Sequence, residues 1–270
     1  MYRVQKLRPR RIPVLFFEQG RKFAEFYIEM KPSPSAMERV LSVFEQYGVD
    51  VKEGAVYTST NPRSARVFGG FLDITDSRAG VEELKEVLES LEGVYEVDIL
   101  ASPFPSLAVC AMHYPLMVLN EECVVFRRST WEGLLRRLHE KFSSAANIIM
   151  YQAGIGTALR EDIAPSTRYA LSLGTDQHLN VFRGLAQALG WGRYEIVEVD
   201  HKKPFMRLRM YQHFECEPFR GTANEPRAHF MRGHLEASFK RLFGKEFRAK
   251  EVLCVAKGDP YCEIVVEPLQ

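Results

Sequence analysis

Glu251, Cys254 and Cys262 fall within a dozen residues near the end of this 270-residue chain, and their side chains are of the types that bind metal. Two thiolates and a carboxylate suit a soft or borderline divalent cation such as zinc, with a further thiolate or imidazole completing a tetrahedral set. The same spacing also fits two reduced cysteines filling the core of a hairpin beside a surface glutamate. Parity is an obstacle to a shared ion. In a regular strand residues 251 and 254 point to opposite faces, so convergence requires a bulge or an irregular strand.

The elements that must position these residues are legible around them. Asn224 is a candidate N-cap ahead of Pro226, and Ala228, Met231, Leu235, Phe239 and Leu242 recur at helical spacing until Gly244. Phe247 to Lys257 and Tyr261 to Glu267 read as two strands, and Gly258, Asp259 and Pro260 supply the turn between them. Such a hairpin brings Cys254 close to Cys262.

The run Glu251-Val-Leu-Cys254-Val-Ala-Lys-Gly258-Asp-Pro-Tyr-Cys262 resembles the closing signature of the 4-vinyl reductase domain family. That family includes the ligand-sensing domains of phenol-responsive activators and shares its fold with trafficking subunits of the TRAPP type. The resemblance implies a structural zinc site on Glu251, Cys254 and Cys262. It puts the fourth ligand at position 228, where this chain has Ala228. The adjacent His229 is the expected substitute, with Cys216 as a second. The resemblance also implies a ligand pocket touching His178 and Met210. Met210 stands where the sensors carry a tryptophan, so phenol specificity does not transfer.

Further upstream, Phe23–Met30 reads as a strand, Pro34–Gly48 as a helix, and Val49–Thr58 and Ala65–Thr75 as strands around Asn61 and Pro62. A helix from Gly80 to Gly93 and a strand from Val94 to Leu100 complete a βαββαβ order. This is a ferredoxin-like sandwich that resembles an ACT regulatory domain, although Lys31-Pro-Ser-Pro-Ser-Ala36 replaces the usual aspartate and glycine. The expected division is an ACT-like regulatory or dimerisation domain over 1–101 with its core at 22–101, a linker at 102–115 rich in proline, and a 4-vinyl reductase-like domain over 116–270. In that last domain Leu116–Arg127 reads as a strand, Ser129 as the cap of a helix, Ala145–Leu159 and Leu179–Leu189 as helices, and Tyr194–His201 and Phe205–Glu217 as strands divided by Lys202-Lys-Pro204. The fold class is α+β, with an antiparallel sheet packed on helices.

Composition narrows the function classes. Thirty-six basic against thirty-five acidic residues leave a net charge of +1, which makes neither nucleic acid nor membrane a default partner. The basic arm of Arg3, Lys6, Arg8, Arg10, Arg11, Arg21 and Lys22 reads as a solvated face, and Val14–Phe17 as a short strand. The apolar run Ala101–Leu119 is broken by three prolines and too short to span a bilayer. Five scattered cysteines imply reduced thiols in a cytoplasmic protein. Gly154-Ile-Gly156 lacks the third glycine of a phosphate loop and lies in a helical pattern, so it fits close helix packing. No nicotinamide or flavin fingerprint and no nucleophile elbow is visible.

The resulting expectation is a non-catalytic sensor or carrier of a small apolar or aromatic molecule. It forms a homodimer and signals to a regulatory partner. A reductase acting on a vinyl or other unsaturated group and an assembly subunit are the alternatives.

Overall fold

A computed structural model of the chain describes residues 8–59, 64–118, 121–159, 168–169, 172–200 and 204–269. Arg3 and Lys6 of the basic arm, the Asn61-Pro62 turn, Leu119, and His201 to Lys203 lie outside them. The chain falls into two compact units that meet in sequence at Leu116 and Met117. No helix among the described residues is long and apolar enough to cross a membrane.

The first unit has the expected βαββαβ order. Strands β2 (Phe23–Met30), β3 (Asp50–Thr58), β4 (Arg66–Asp73) and β5 (Val94–Ala101) form an antiparallel sheet in the order β3-β4-β2-β5. Helices α1 (Pro34–Tyr47) and α2 (Val81–Glu89) cover one face. Ser33 caps α1 by accepting from the Ala36 N–H, Pro34 occupies its first turn, and Gly48 ends it in the left-handed region at φ 70°. Phe26, Ile28 and Met30 of β2 pack with Val40, Phe44, Leu84 and Leu88 of the helices.

The other face of this sheet is not bare. Strand β1 (Leu15–Phe17) pairs with β6 (Leu107–Val109), and this ribbon packs Phe16 and Ala108 against Phe23 and Phe71. Both faces of β2 are therefore buried. The stretch 102–115, expected as a linker, is folded back onto the first unit, where Ala111 and Met112 donate to the Glu25 carboxylate. Two members of the basic arm are also paired, Arg11 with Glu53 and Arg21 with Glu18, Asp73 and Asp76.

In the second unit the strand expected over 116–127 is reduced to a two-residue ribbon, β7 (Met117–Val118) with β8 (Glu121–Glu122). Val124, Val125 and Phe126 stay exposed, without a sheet to join. Helix α3 (Arg128–Phe142) starts two residues earlier than expected, with Arg127 in place of Ser129 at its cap position. Helices α4 (Ala145–Ala158), α5 (Thr175–Ala188) and α6 (His229–Phe243) follow. Strands β9 (Arg193–Asp200), β10 (Phe205–Tyr211), β11 (Phe247–Leu253) and β12 (Cys262–Pro268) form an antiparallel sheet in the order β11-β12-β10-β9.

Alternation along these strands sets what faces the core. Met206, Leu208 and Met210 of β10, Phe247 and Ala249 of β11, and Ile264 and Val266 of β12 are buried together with Leu235 and Phe239 of α6. Arg207 and Arg209 point the other way and share Glu263.

Helices α4 and α6 cross at glycines. A Cβ on Gly154 would lie 2.0 Å from the Phe230 carbonyl oxygen, and one on Gly233 2.1 Å from that of Tyr151. The Gly154 reading as a packing residue is thus the structural one.

Candidate metal centre

Glu251 is the third inward-facing residue of β11 after Phe247 and Ala249, so the sheet carries its carboxylate into the core. The ladder then shifts. Glu251 stands opposite Ile264 and Leu253 opposite Glu263, leaving Val252 as an extra residue. This bulge supplies the irregularity that the parity argument required. Cys254 follows at the head of a short 3₁₀ turn (Val255–Lys257), and Gly258 closes the turn at φ 101°. Asp259 in the same turn accepts from the Cys254 N–H at 2.8 Å, and the Val255 N–H points at Cys262 Sγ at 3.4 Å. Cys262 is the first residue of β12, paired with Met210.

A fourth group comes from an element that differs from expectation. The strand expected to run from Phe205 to Glu217 stops at Tyr211, because Gln212 adopts φ 53° and turns the chain inward. His213, Glu215 and Cys216 are all buried as a result. The Cys216 thiol lies 3.8 Å from Glu251 Oε1, and the thiols of Cys254 and Cys262 lie 3.9 Å apart. One ligand atom from each of Cys216, Glu251, Cys254 and Cys262 falls within 4.8 Å of the other three.

These spacings match coordination of a common ion. With Zn–S near 2.3 Å and Zn–O near 2.1 Å, tetrahedral angles put two sulfurs about 3.8 Å apart and a sulfur and an oxygen about 3.6 Å apart. A disulfide needs sulfurs about 2.05 Å apart, and all five cysteines of the chain are free. The cluster fits a borderline divalent cation.

The expected helix start at Asn224 moves to His229, with Ala228 in the cap position. The Ala228 methyl cannot accept a hydrogen bond, and two carboxylates from outside the helix take the place of a cap. Glu251 Oε2 accepts the Ala228 N–H at 2.8 Å, and Glu215 accepts those of Phe230 and Met231 at 2.7 and 3.3 Å. One Glu251 oxygen thus anchors the helix and the other faces the thiols. His229 does not join the cluster. Its Nε2 is buried without a hydrogen-bond partner, and burial lowers its pKa to about 4. Cys216, the second substitute, occupies the fourth corner. Glu215 and Asp259 were not singled out from the sequence. Asp259 was visible only as turn chemistry, and nothing in the spacing of Glu215 marks it as a cap.

Four acidic groups in one buried site cannot all ionise without a cation. Burial pushes Glu251 up to about 9, helped by the charge of Cys254, and burial raises Cys216 well above its usual range. Cys254 moves down, because the Cys216 and Cys262 thiols donate to its sulfur.

The two expected ligand contacts lie on β10 and α5. Met210 is fully buried between Tyr194 and Cys262 in the sheet, while His178 is half-buried in the first turn of α5. Between the sheet and the helices, rings pack on rings. Trp191 meets Phe214, Phe230 and His234 with centroids 5.6 to 5.9 Å apart, and Phe182 stacks on His234. Tyr194 bonds its hydroxyl to His213 Nδ1 at 2.9 Å.

Residues 206–268 match the family model of the V4R domain. The second unit carries a V4R domain. This is the 4-vinyl reductase domain whose closing signature the sequence resembles, and the match takes in Cys216, Glu251, Cys254 and Cys262 together. No curated protein matches the chain. Among solved structures, the chain is similar to the phenol-responsive sensory domain of the transcription activator PoxR with phenol, at 18% identity over 55% of this chain and 77% of that one, with a TM-score of 0.48. A vinyl-4-reductase family protein from Methanocaldococcus jannaschii matches at 15% identity over 56% and 87%, TM-score 0.36. The ACT domain from GTP pyrophosphokinase of Chlorobium tepidum matches at 11% identity over 30% and 99%, TM-score 0.24.

Proposed function

We propose that the V4R unit is a non-catalytic small-molecule sensor or carrier whose structure is clasped by a zinc ion on Cys216, Glu251, Cys254 and Cys262. The observation that carries this reading is the buried cluster of four donors. Four protein ligands fill a tetrahedral ion, and a filled ion is structural because no position is left for a substrate. Its role would be to tie the inward loop at 213–219, the closing hairpin and the start of α6 into one body.

The ligand of this reading is a small, largely apolar or aromatic molecule. The ring cluster of Phe182, Trp191, Tyr194, Phe214, Phe230 and His234 supports it, since such rings suit an aromatic guest. His213 Nε2, buried 3.6 Å from a Glu215 oxygen and without a closer partner, offers a polar contact inside it. His178 and Met210 remain the proposed contacts from the sequence. A homodimer, a regulatory partner and a cytoplasmic location belong to the same proposal.

Two alternatives differ in outcome. An assembly subunit is favoured by the fact that the rings already fill one another's neighbourhood, and a reductase would act on a vinyl or other unsaturated group. The test is native mass spectrometry of the full chain for zinc, subunit number and a co-purified molecule, followed by thermal shift with phenol and other small aromatics. A binder recovered unchanged after incubation with reduced nicotinamide supports the sensor. A reduced product that depends on the protein supports the enzyme, and failure of every aromatic to bind supports the assembly subunit.

A further inference from the structure

We propose that the first unit holds a second divalent cation, through Glu25, Cys110 and His113. The strand alternation that sends Phe26 and Ile28 toward the helices sends Glu25 to the other face of the sheet, where the chain returns over it after β6. The carboxylate is 3% exposed, on a strand whose other residues are apolar or aromatic except for a second buried carboxylate, Glu29. Among the described residues no lysine or arginine forms an ion pair with it. It accepts the N–H groups of Ala111 and Met112 and lies 2.8 Å from His113 Nδ1.

Three different donors converge there. The Cys110 sulfur, a Glu25 oxygen and a ring nitrogen of His113 fall within 4.8 Å of one another. Cys110 and His113 stand three residues apart on one turn, and the N–H groups of Met112 and His113 are directed at the Cys110 sulfur. Burial and the Glu25 carboxylate nevertheless push the thiol up to about 11, so the thiolate, the form that binds metal, needs a cation beside it. Thiolate and carboxylate together carry two negative charges, which a divalent cation balances.

The imidazole is held in place for this role. Its Nε2 is buried with no hydrogen-bond partner, and a Cβ at position 69 would lie 2.4 Å from it, so the ring sits where only Gly69 leaves room. With the outer nitrogen sealed against the sheet, the inner one faces the carboxylate and the sulfur. An ion at Nδ1 would widen the 2.8 Å gap to Glu25 to about 3.4 Å, a shift of roughly half an ångström. A sulfur, nitrogen and oxygen set selects zinc or its surrogate cobalt over magnesium and calcium. Three protein donors leave one position open, and Cys110 and His113 are only half-buried. This ion is therefore exchangeable, unlike one in the closed V4R cluster.

The site does not depend on the reading of the V4R unit, and the experiment separates the two. The full chain is loaded with zinc or cobalt(II), desalted, and measured for metal per chain and for thiolate-to-cobalt absorption. The wild type is expected to hold two equivalents. C110S and H113Q each lose one, while C254S loses the other. A weak chelator removes one equivalent from the wild type and none from C110S. Melting curves confirm that each variant is folded, and G69A, which keeps all three donors but displaces the ring, lowers the same equivalent should C110S fail to fold. Wild-type metal content in C110S and H113Q overturns the proposal. A wild type with one equivalent that only C254S removes overturns it too, whereas one that only C110S removes upholds this site and rejects the V4R ion.

Discussion

Replacing Gly154 by alanine should separate two helices whose contact depends on a missing methyl group. The added Cβ would sit 2.0 Å from the Phe230 carbonyl oxygen, and ordinary contact begins near 3.4 Å, so α4 and α6 must move apart by about 1.4 Å at the crossing. A gap of 0.5–1 Å already forfeits a quarter to a half of each facing contact. Tens of contacts of about 0.1–0.2 kcal/mol along the seam then lose roughly 2–3 kcal/mol. The better helix propensity of alanine returns about 1 kcal/mol, leaving a net destabilisation of about 1–2 kcal/mol. Gly156, two residues on, has nothing within 4 Å of its Cβ, and G156A should stabilise by up to about 1 kcal/mol. Urea unfolding followed by tryptophan fluorescence is the assay, since the two tryptophans, Trp131 and Trp191, both lie in the second unit. G233A meets the Tyr151 carbonyl at 2.1 Å and should cost a similar amount. The double variant should cost clearly less than the sum, because one widening relieves both clashes. If G154A is as stable as the wild type, or if the two glycines add, the close crossing is not what holds this pair.

C254S and C262S should lower metal content and melting temperature together, read by elemental analysis and calorimetry. C216A should do the same and H229A should leave the metal in place, which tests the assignment of the fourth corner. Burial holds His234 at about 4, below its ordinary 6.5, so its contribution to stability is complete above about pH 6.5 and is lost as pH falls toward 4. Between pH 7.5 and 4.5 that loss is roughly 2–3 kcal/mol, and H234F, which keeps a ring against Phe182 and Phe230, should flatten this part of the urea stability profile. An unchanged slope in H234F would assign the acid sensitivity to other groups.

Much of the architecture was legible because local pattern and tertiary need coincide. The alternation of β2, the helical spacing of α1 with its Gly48 stop, and the turn at Gly258 each point to one answer. Expectation failed where the second unit places its site. The run after Phe205 reads as a strand because Phe214 and Cys216 continue its apolar character, yet Gln212 takes a left-handed turn that periodicity does not announce. The start of α6 was placed too early because Asn224 and Pro226 look like a cap, while the groups that cap the helix are Glu215 and Glu251, remote in sequence. For the same reason a neighbour in sequence, His229, stood in for Ala228 when the neighbour in space is Cys216. The Glu25 cluster leaves no mark in the sequence because its parts are separated by some eighty residues and meet only when the chain folds back over the first sheet.

The looped-out residue in β11 makes the V4R cluster a matter of counting as much as of chemistry. Val252 contributes no donor and its side chain is 39% exposed, so many residue types should be acceptable there. Its presence is another matter. Deleting it would leave every thiol and carboxylate in the chain, yet it would straighten the ladder and turn Glu251 or the Cys254 turn away from the other donors. A search for related sites that compares residue identities alone would pass such a chain. In this hairpin length is the heritable trait, and a gain or loss of one codon is a larger change than any exchange at residue 252.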